Sequence, residues 1–205
     1  MNNLDLFADL ESSKQELFSI KNGEYIYIPD FFSKEESDIL FDTLQHTISW
    51  KQEKMNMYGK EILFPRLTAW YGDSDKPYSF SGITLNTSPW TNNLLAIKDR
   101  IEAKTTAIFN SVLLNMYRDG SDSISWHTDE EKELGKNPVI ASVTFGGTRD
   151  FQLRHIETKE KLTIKLSHGS LLIMQGELQH FWQHQIPKTK KQVDPRINLT
   201  FRVIN

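Results

Sequence analysis

The spacing of apolar residues predicts two amphipathic helices in the first half of the chain. The first begins after Ser33, because Ser33-Lys34-Glu35-Glu36 has the form of a capping box and apolar residues follow at helical spacing. These apolar residues are Ile39, Leu40 and Leu44. The second helix runs from Trp90 to about Phe109, with an apolar stripe of Leu94, Leu95, Ile97, Ile101 and Ile108. Residues 24–32 are expected to form a strand that ends in a turn, and residues 1–20 to be weakly ordered or loosely docked.

Beyond Ser111 the helical period gives way to short runs that are typical of β-strands, most of them separated by Gly, Asp or Asn. The runs are SVLLNMYR (111–118), SISWH (123–127), PVIASVTFG (138–146), RDFQLRH (149–155), KLTIKL (161–166), GSLLIMQG (169–176), HFWQHQI (180–186) and RINLTFRVI (196–204). Such closely spaced short strands predict a barrel or a jelly roll, with the two helices buttressing one sheet from outside. The fold class is therefore α+β and mainly β. With no repeat and no linker, one compact unit is expected, in which residues 1–50 form an N-terminal extension with a strand and a helix.

The composition of the chain argues against a membrane-spanning protein, a secreted protein and a protein with cysteine chemistry. No run of about 18 apolar residues exists, so no transmembrane helix is predicted. The acidic N-terminal stretch lacks the features of a secretory signal, and the absence of cysteine excludes disulfides, thiolate metal sites and a cysteine nucleophile. A reducing location, cytoplasmic or nuclear, is the expectation.

Charge is distributed unevenly along the chain, whose net charge is −3. Residues 1–50 contain three lysines against ten acidic residues, whereas residues 186–205 contain five basic residues against one acidic residue. This asymmetry favours a basic face on part of the domain, although an ordinary solvated surface would have the same composition.

Two histidine contexts could form a metal site. His127 and Asp129 are separated by one residue in a predicted strand, so both side chains can point to the same place. One imidazole and one carboxylate are two of the three ligands of a facial iron(II) site. His184, on another predicted strand, could supply the third. His180 is the rival, because it has even spacing from His184 and would share its face.

The strand predicted at residues 196–202 has two chemically distinct faces. Arg196, Asn198, Thr200 and Arg202 alternate with apolar residues and therefore share one face. Two arginines that face inward are costly without an anionic partner. A small dicarboxylate would satisfy both guanidinium groups; a solvent-exposed polar edge is the alternative interpretation.

Together these motifs resemble the AlkB-type iron(II)/2-oxoglutarate dioxygenases, which demethylate nucleic-acid bases. The resemblance covers about residues 55–205 and is greatest to the branch of DNA-repair homologues. It rests on the motifs PRLTAWYGD (65–73), YSFSGITL (78–85), NMYRDGSDSISWHTDEE (115–131), ASVTFGGTRDFQLRH (141–155), HGSLLIMQGELQHFWQH (168–184) and PRINLTFRVI (195–204). It implies a double-stranded β-helix, with residues 51–205 forming the oxygenase domain and residues of about 51–85 forming nucleotide-recognition hairpins.

The resemblance also implies roles for individual residues. It implies three iron ligands: His127, Asp129 and His184. It implies five residues that bind 2-oxoglutarate, without deciding which arginine binds which carboxylate: Asn115, Tyr117, Arg196, Asn198 and Arg202. It implies five residues of a pocket for a flipped base: Trp70, Tyr71, Tyr78, Phe80 and Glu131. It implies seven nucleic-acid contacts, in an intercalating hairpin tip, at one arginine and in a basic loop: Met57, Tyr58, Gly59, Arg66, Lys188, Lys190 and Lys191. His180 is expected to be structural.

The activity that the resemblance implies is oxidative demethylation of 1-methyladenine and 3-methylcytosine. The reaction would consume O₂ and 2-oxoglutarate with iron(II) as cofactor. It would release formaldehyde, succinate and CO₂. The expected partner is alkylated DNA, with RNA and the preference for single or double strands left open. A monomer without a membrane partner is expected. The alternatives are a 2-oxoglutarate oxygenase that acts on a protein or a small molecule, and a jelly-roll binding module without catalysis.

Overall fold

Two antiparallel β-sheets dominate the computed structural model, which describes residues 16–57, 60–73, 78–80, 83–85 and 87–205. The larger sheet contains, in spatial order, β1 (Glu16–Ile20), β2 (Gly23–Ile28), β13 (Ser170–Gln175), β10 (Ile140–Gly146), β15 (Arg196–Arg202), β8 (Ser111–Tyr117) and β5 (Leu67–Gly72). The smaller sheet contains β12 (Lys161–Leu166), β11 (Arg149–His155), β14 (Trp182–Ile186) and β9 (Ile124–His127). Two hairpins pair β3 (Lys54–Met57) with β4 (Lys60–Leu63) and β6 (Tyr78–Phe80) with β7 (Ile83–Leu85). This architecture confirms the predicted jelly roll.

The alternation of residues in β15 determines what lies on each side of the larger sheet. Ile197, Leu199 and Phe201 pack on the side of the two long helices, in a core that also contains Leu44 and Leu94. The polar residues of β15 face the space between the two sheets. A second core fills part of that space, where larger-sheet residues such as Leu172 meet smaller-sheet residues such as Trp182.

The two helices are α1 (Lys34–Thr47) and α2 (Asn92–Glu102), and the capping box predicted at the start of α1 is present. Glu36 N donates to Ser33 Oγ at 3.2 Å, and Ser33 N donates to the Glu36 carboxylate at 2.8 Å. Arg100 on α2 donates to the same carboxylate at 2.8 Å. The box therefore also joins the two helices.

No helix in the described part of the chain is long and apolar enough to span a membrane.

Helix α2 is shorter than predicted, because it ends at Glu102 rather than near Phe109. The turn after it is polar and contains two β-branched threonines, so a continued helix would gain no apolar contact. Glu102 also accepts a hydrogen bond from Phe109 N at 2.7 Å, which fixes the returning chain. Ile108 of the predicted stripe consequently lies outside the helix and is 70% exposed, and Leu95, inside the helix, is 38% exposed.

The N-terminal segment is more integrated than its sequence predicts. Residues 16–20, expected to be loosely docked, form the edge strand β1 and pair with β2 from Glu16 opposite Tyr27 to Ile20 opposite Gly23. Strand β2 in turn pairs with β13 inside the larger sheet. The structure thus continues without a break across residue 50, and a domain boundary there stays a prediction.

Ser33→Ala should destabilise the protein by about 1 kcal/mol, because the N-cap oxygen that satisfies Glu36 N is removed. The measurement is the free energy of unfolding in urea for the variant and the wild type. An unchanged midpoint with an unchanged slope would show that the cap contributes nothing to α1.

Candidate active site

Three predicted metal ligands converge at the open edge of the smaller sheet. His127 ends β9 and pairs directly with His184 on β14, while Asp129 lies two residues beyond the strand. One ligand atom from each residue lies within 4.8 Å of the others. Asp129 Oδ1 is 4.0 Å from His127 Nε2, and Asp129 Oδ2 is 4.0 Å from His184 Nε2. Two imidazoles and a carboxylate in this arrangement form the donor set of a facial iron(II) site.

The electrostatics of the three side chains suit a divalent cation. Burial lowers the pKa of His184 to about 3, and the nearby His127 acts in the same direction. Burial also lowers the pKa of His127. Burial alone would raise the pKa of Asp129, but Arg202 and the two histidines outweigh it and lower the pKa to about 2. At neutral pH the imidazoles are therefore neutral and the carboxylate is ionised, which are the metal-binding forms.

Hydrogen bonds orient two of the ligands. His127 Nδ1 lies 2.8 Å from the carbonyl oxygen of Ser125 and must donate to it, which leaves the Nε2 lone pair facing the carboxylate. Asp129 Oδ2 accepts from Arg202 Nη2 at 2.9 Å. Asp129 Oδ1 is buried with no hydrogen-bond partner among the described residues. A buried carboxylate with one oxygen near each of two histidine nitrogens, and with an oxygen that lacks a hydrogen-bond partner, fits a bound metal ion.

The predicted arginine face lines the same cavity. Arg196 Nη2 donates to Asn198 Oδ1 at 2.6 Å and to Thr144 Oγ1 at 2.9 Å, and its guanidinium lies 5.2 Å from the centre of the Tyr117 ring. Its Nε and Nη1 atoms have no hydrogen-bond partner within the described parts of the chain. Burial lowers the pKa of Arg196 to about 10, so the group is still charged at neutral pH. A small anion that enters the cavity would satisfy these two donors.

A cavity of about 40 Å³ between the sheets brings these groups together. All eight residues that the sequence suggests for iron and 2-oxoglutarate line it: Asn115, Tyr117, His127, Asp129, His184, Arg196, Asn198 and Arg202. Its remaining wall is largely apolar: Leu113, Ile124, Phe151, Met174 and Ile186. The cavity thus presents the metal triad and two arginines to one shared space.

Comparison with known families decides the assignment. Residues 24–202 match the model of the 2OG-Fe(II) oxygenase superfamily. The chain belongs to this superfamily. Members of this superfamily use Fe(II), 2-oxoglutarate and O₂, and the His–Asp–His site fits that requirement.

Two curated relatives match most of this chain. It is 42% identical over 186 residues to alpha-ketoglutarate-dependent dioxygenase alkB homolog 3 of Bos taurus, which covers 86% of this chain and 64% of that protein. It is 40% identical over 184 residues to DNA oxidative demethylase ALKBH2 of Homo sapiens, and the match covers 84% of this chain and 70% of that protein. The chain thus spans a little under two thirds of the alkB homolog 3 relative. The solved structure of OsALKBH1 has a TM-score of 0.61 at 16% identity, covering 92% of this chain and 100% of that one, and shares the fold.

The predicted base pocket is only partly supported. Trp70 and Tyr71 are neighbours on β5 and therefore point to opposite faces of the sheet. Trp70 packs with Leu113, which lines the oxygenase cavity. Tyr71 instead packs in the core under the helices, and its hydroxyl accepts from Ser49 N at 3.4 Å. Tyr71 therefore packs away from the described cavity, and its assignment to the base pocket stays a prediction that this placement does not support.

Further residues predicted to contact the substrate are Glu131 and five residues of the two hairpins. Glu131 lies half-buried just before a 3-10 turn (Lys132–Leu134), two residues after Asp129. The side chains of Tyr78, Phe80 and Met57 lie outside the described part of the structure, as do Tyr58 and Gly59, so their roles stay predictions.

Arg66 does not fit a contact with nucleic acid. Its side chain is only 4% exposed, and its Nε donates to Asn115 Oδ1 at 2.7 Å. The guanidinium also lies 4.8 Å from the centre of the Phe64 ring. Arg66 therefore supports Asn115, and a contact with nucleic acid stays a prediction that its burial does not support.

His180 lies on a single helical turn, α3 (Leu178–Phe181), and not on the strand predicted for residues 180–186. His180 N and Phe181 N both bond to the carbonyl oxygen of Glu177, at 2.9 and 3.3 Å. The imidazole Nε2 lies 3.0 Å from Asn137 Oδ1. The turn removes His180 from the face of His184, so it does not join the metal ligands.

The basic loop that contains Lys188, Lys190 and Lys191 is held by backbone contacts. Thr189 N donates to the carbonyl oxygen of Gly120 at 2.8 Å. A side chain at Gly120 would place a Cβ 2.4 Å from the carbonyl oxygen of Thr189, so this approach requires glycine. Arg149 donates to the carbonyl oxygen of Pro187 at 2.6 Å. The loop therefore presents its lysines from a fixed base, and sequence reasoning missed Arg149.

Proposed function

We propose that the protein oxidatively removes N-methyl groups from alkylated bases in DNA, with 1-methyladenine and 3-methylcytosine as first substrates. The observation that carries the proposal is the cavity in which the His–Asp–His triad and two buried arginines meet. The similarity to proteins named as DNA oxidative demethylases supports the substrate class. Iron(II), O₂ and 2-oxoglutarate would be required, and formaldehyde, succinate and CO₂ would be the products.

In this proposal His127, Asp129 and His184 hold iron, which supplies the oxidation of the methyl group coupled to decarboxylation of 2-oxoglutarate. Arg202 binds the carboxylate nearer the metal, because its Nη2 already contacts Asp129. Arg196 binds the distal carboxylate, supported by Asn198, Thr144 and Tyr117. Two arginines at different places in one cavity suit a dicarboxylate better than a single anion.

The remaining groups are proposed to recognise the nucleic acid. The target base must leave the helical stack to reach the cavity, and a base that cannot pair leaves most easily. Trp70 packs with Leu113 of the cavity wall, and Glu131 lies two residues after the ligand Asp129. A carboxylate at Glu131 suits the positive charge of an N-methylated base. The loop with Lys188, Lys190 and Lys191 would contact phosphates. Because one chain supplies every residue of the metal and 2-oxoglutarate sites, we propose a monomer that acts wherever the DNA is, in a bacterial cytoplasm or a nucleus.

The direct test is incubation of the protein with oligonucleotides that carry 1-methyladenine, together with iron(II), ascorbate and 2-oxoglutarate. We expect each oligonucleotide to lose the mass of one methylene group, with formaldehyde and succinate produced in equal amounts. Asp129→Ala is the control that should abolish the change. Succinate production with no change in DNA or RNA oligonucleotides would favour an oxygenase that acts on a protein or a small molecule.

Lys190→Ala combined with Lys191→Ala should weaken binding to single- and double-stranded DNA alike. Each phosphate that the loop no longer neutralises should reduce the slope of log K against log salt by about 0.9 on duplex DNA and about 0.7 on single strands. The measurement is a binding titration with unmodified oligonucleotides at several salt concentrations.

The matched control is Lys161→Ala with Lys165→Ala, which removes the same charge from exposed positions of β12. The control pair should leave the salt slope close to that of the wild type. Equal slopes for both double variants would contradict a specific role for the loop.

A further inference from the structure

The backbone of the ligand Asp129 has an unusual hydrogen-bond partner. Asp129 N donates to the side-chain oxygen of Gln179 at 3.0 Å. The Gln179 side chain is buried, with 1% of the residue exposed, and its amide nitrogen lies 3.6 Å from Met174 Sδ. Gln179 lies on α3, five residues before His184. One side chain therefore links the chain segments that contain two of the three ligands.

The strand ladder does not hold this part of the site. Strand β9 ends at His127, so Asp129 lies beyond its last paired residue. The pairing of β9 with β14 is itself short, with His184 opposite His127, Ile186 opposite Ile124 and a shift of register between them. Gln179 supplies the acceptor that a neighbouring strand would otherwise provide. Without it, Asp129 N would be a buried donor with no partner, which is costly.

The carboxylate of Asp129 is fixed at its other end by Arg202, whose Nη2 donates to Oδ2 at 2.9 Å. Contacts at both the backbone and the carboxylate define where Oδ1 lies relative to the histidines. A metal site depends on ligands that are held in position before the ion binds, and removal of such supporting hydrogen bonds typically weakens metal binding.

We infer that Gln179 is a positioning residue for the metal site, acting through the backbone of Asp129. The inference rests on the metal-binding role of the triad in the proposed function. It adds that α3 is a part of the site architecture, although Gln179 itself contacts neither metal nor substrate.

Gln179→Leu removes the acceptor and puts an apolar side chain of similar size in the same buried place. We expect it to bind Co(II), in the presence of 2-oxoglutarate, about 10-fold more weakly than the wild type. The visible absorption spectrum of bound Co(II) should also change, because the geometry of the ligands changes. The matched control is Gln175→Leu, which removes a hydrogen bond of similar length to Glu24 at a position on β13. The control should leave Co(II) affinity and spectrum unchanged.

A purely structural role would give a different pattern. It would lower the melting temperature of the metal-free protein while leaving Co(II) affinity and the spectrum as in the wild type, and that result would overturn the inference. Gln179→Glu keeps an oxygen that can accept from Asp129 N and should recover most of the affinity. If Gln179→Leu does not fold, Gln179→Met carries the same test with an unbranched chain.

The failure of this inference can be distinguished from failure of the proposed function. If the wild type does not bind Co(II), the triad does not bind metal, and both the proposed function and the role of Gln179 are refuted. If the wild type binds Co(II) and demethylates DNA but Gln179→Leu binds Co(II) equally well, only the role of Gln179 is refuted.

Discussion

His184→Ala should abolish turnover and weaken metal binding by at least about 100-fold, whereas His180→Ala should retain both. Removal of groups that merely support a ligand costs about 10- to 100-fold in metal affinity, so removal of the ligand itself should cost more. The His184 ring lies 4.2 Å from the His127 ring and faces Asp129, while His180, on α3, faces Asn137. The measurements are Co(II) affinity and succinate production with methylated oligonucleotides.

His180→Ala is a close control, because the same substitution is made four residues earlier in the chain. Both variants should keep the fold, which circular dichroism of the metal-free proteins can verify. The reverse result, with activity retained in His184→Ala and abolished in His180→Ala, would show that the third ligand is assigned to the wrong histidine.

Features set by strand geometry could be predicted from the sequence. The alternation in β15 is a consequence of its period of two, so Arg196, Asn198 and Arg202 had to share a face once the strand was recognised. The same reasoning placed His127 and Asp129 together, although β9 ends at His127 and Asp129 lies two residues beyond it. Pairing of β9 with β14, which brings in His184, needed the resemblance, because nothing local specifies which strands become neighbours.

Features set by tertiary contacts could not be predicted. The apolar spacing around α2 continued to Ile108, but a hydrogen bond from Phe109 N to Glu102 ends the helical stretch. Period-two reasoning put His180 beside His184, but the single turn of α3 intervenes. Arg66 belongs to a residue type that commonly contacts phosphates, yet it is buried against Asn115. Each difference between expectation and structure came from a feature of the fold that the local pattern of residues does not reveal.

Gln179 and Arg149 are residues whose contacts the sequence could not predict. Both are polar residues in runs whose residue types indicate nothing special, and no spacing rule selects them. Their importance lies in what they contact, Asp129 N in one case and the carbonyl oxygen of Pro187 in the other. A buried side chain that satisfies a distant backbone group is visible only when the fold is known.

Arg196→Met should weaken 2-oxoglutarate binding by about 10- to 100-fold while leaving metal affinity nearly unchanged. Removal of a charge-assisted hydrogen bond costs about 1.5–3 kcal/mol, which corresponds to that range of affinity. Arg196 is the better position for this test than Arg202. Arg202 also bonds to Asp129, so its replacement would disturb the metal ligand as well.

The stability of the variant supplies a second readout. Arg196 is buried and charged, and its Nε and Nη1 have no partner among the described residues. Removal of this charge should largely offset the loss of the Nη2 bonds to Asn198 and Thr144, so an apolar replacement should change the stability of the ligand-free protein little. 2-Oxoglutarate at a concentration that saturates the metal-loaded wild type should raise its melting temperature more than that of Arg196→Met, because the stabilisation by a ligand falls as its affinity falls. Arg196→Lys keeps the charge but not the planar fork and should be intermediate. A 2-oxoglutarate titration of Arg196→Met that matches the wild type would refute the assignment of this arginine to the co-substrate, and a marked fall in stability without ligand would show that its role is structural.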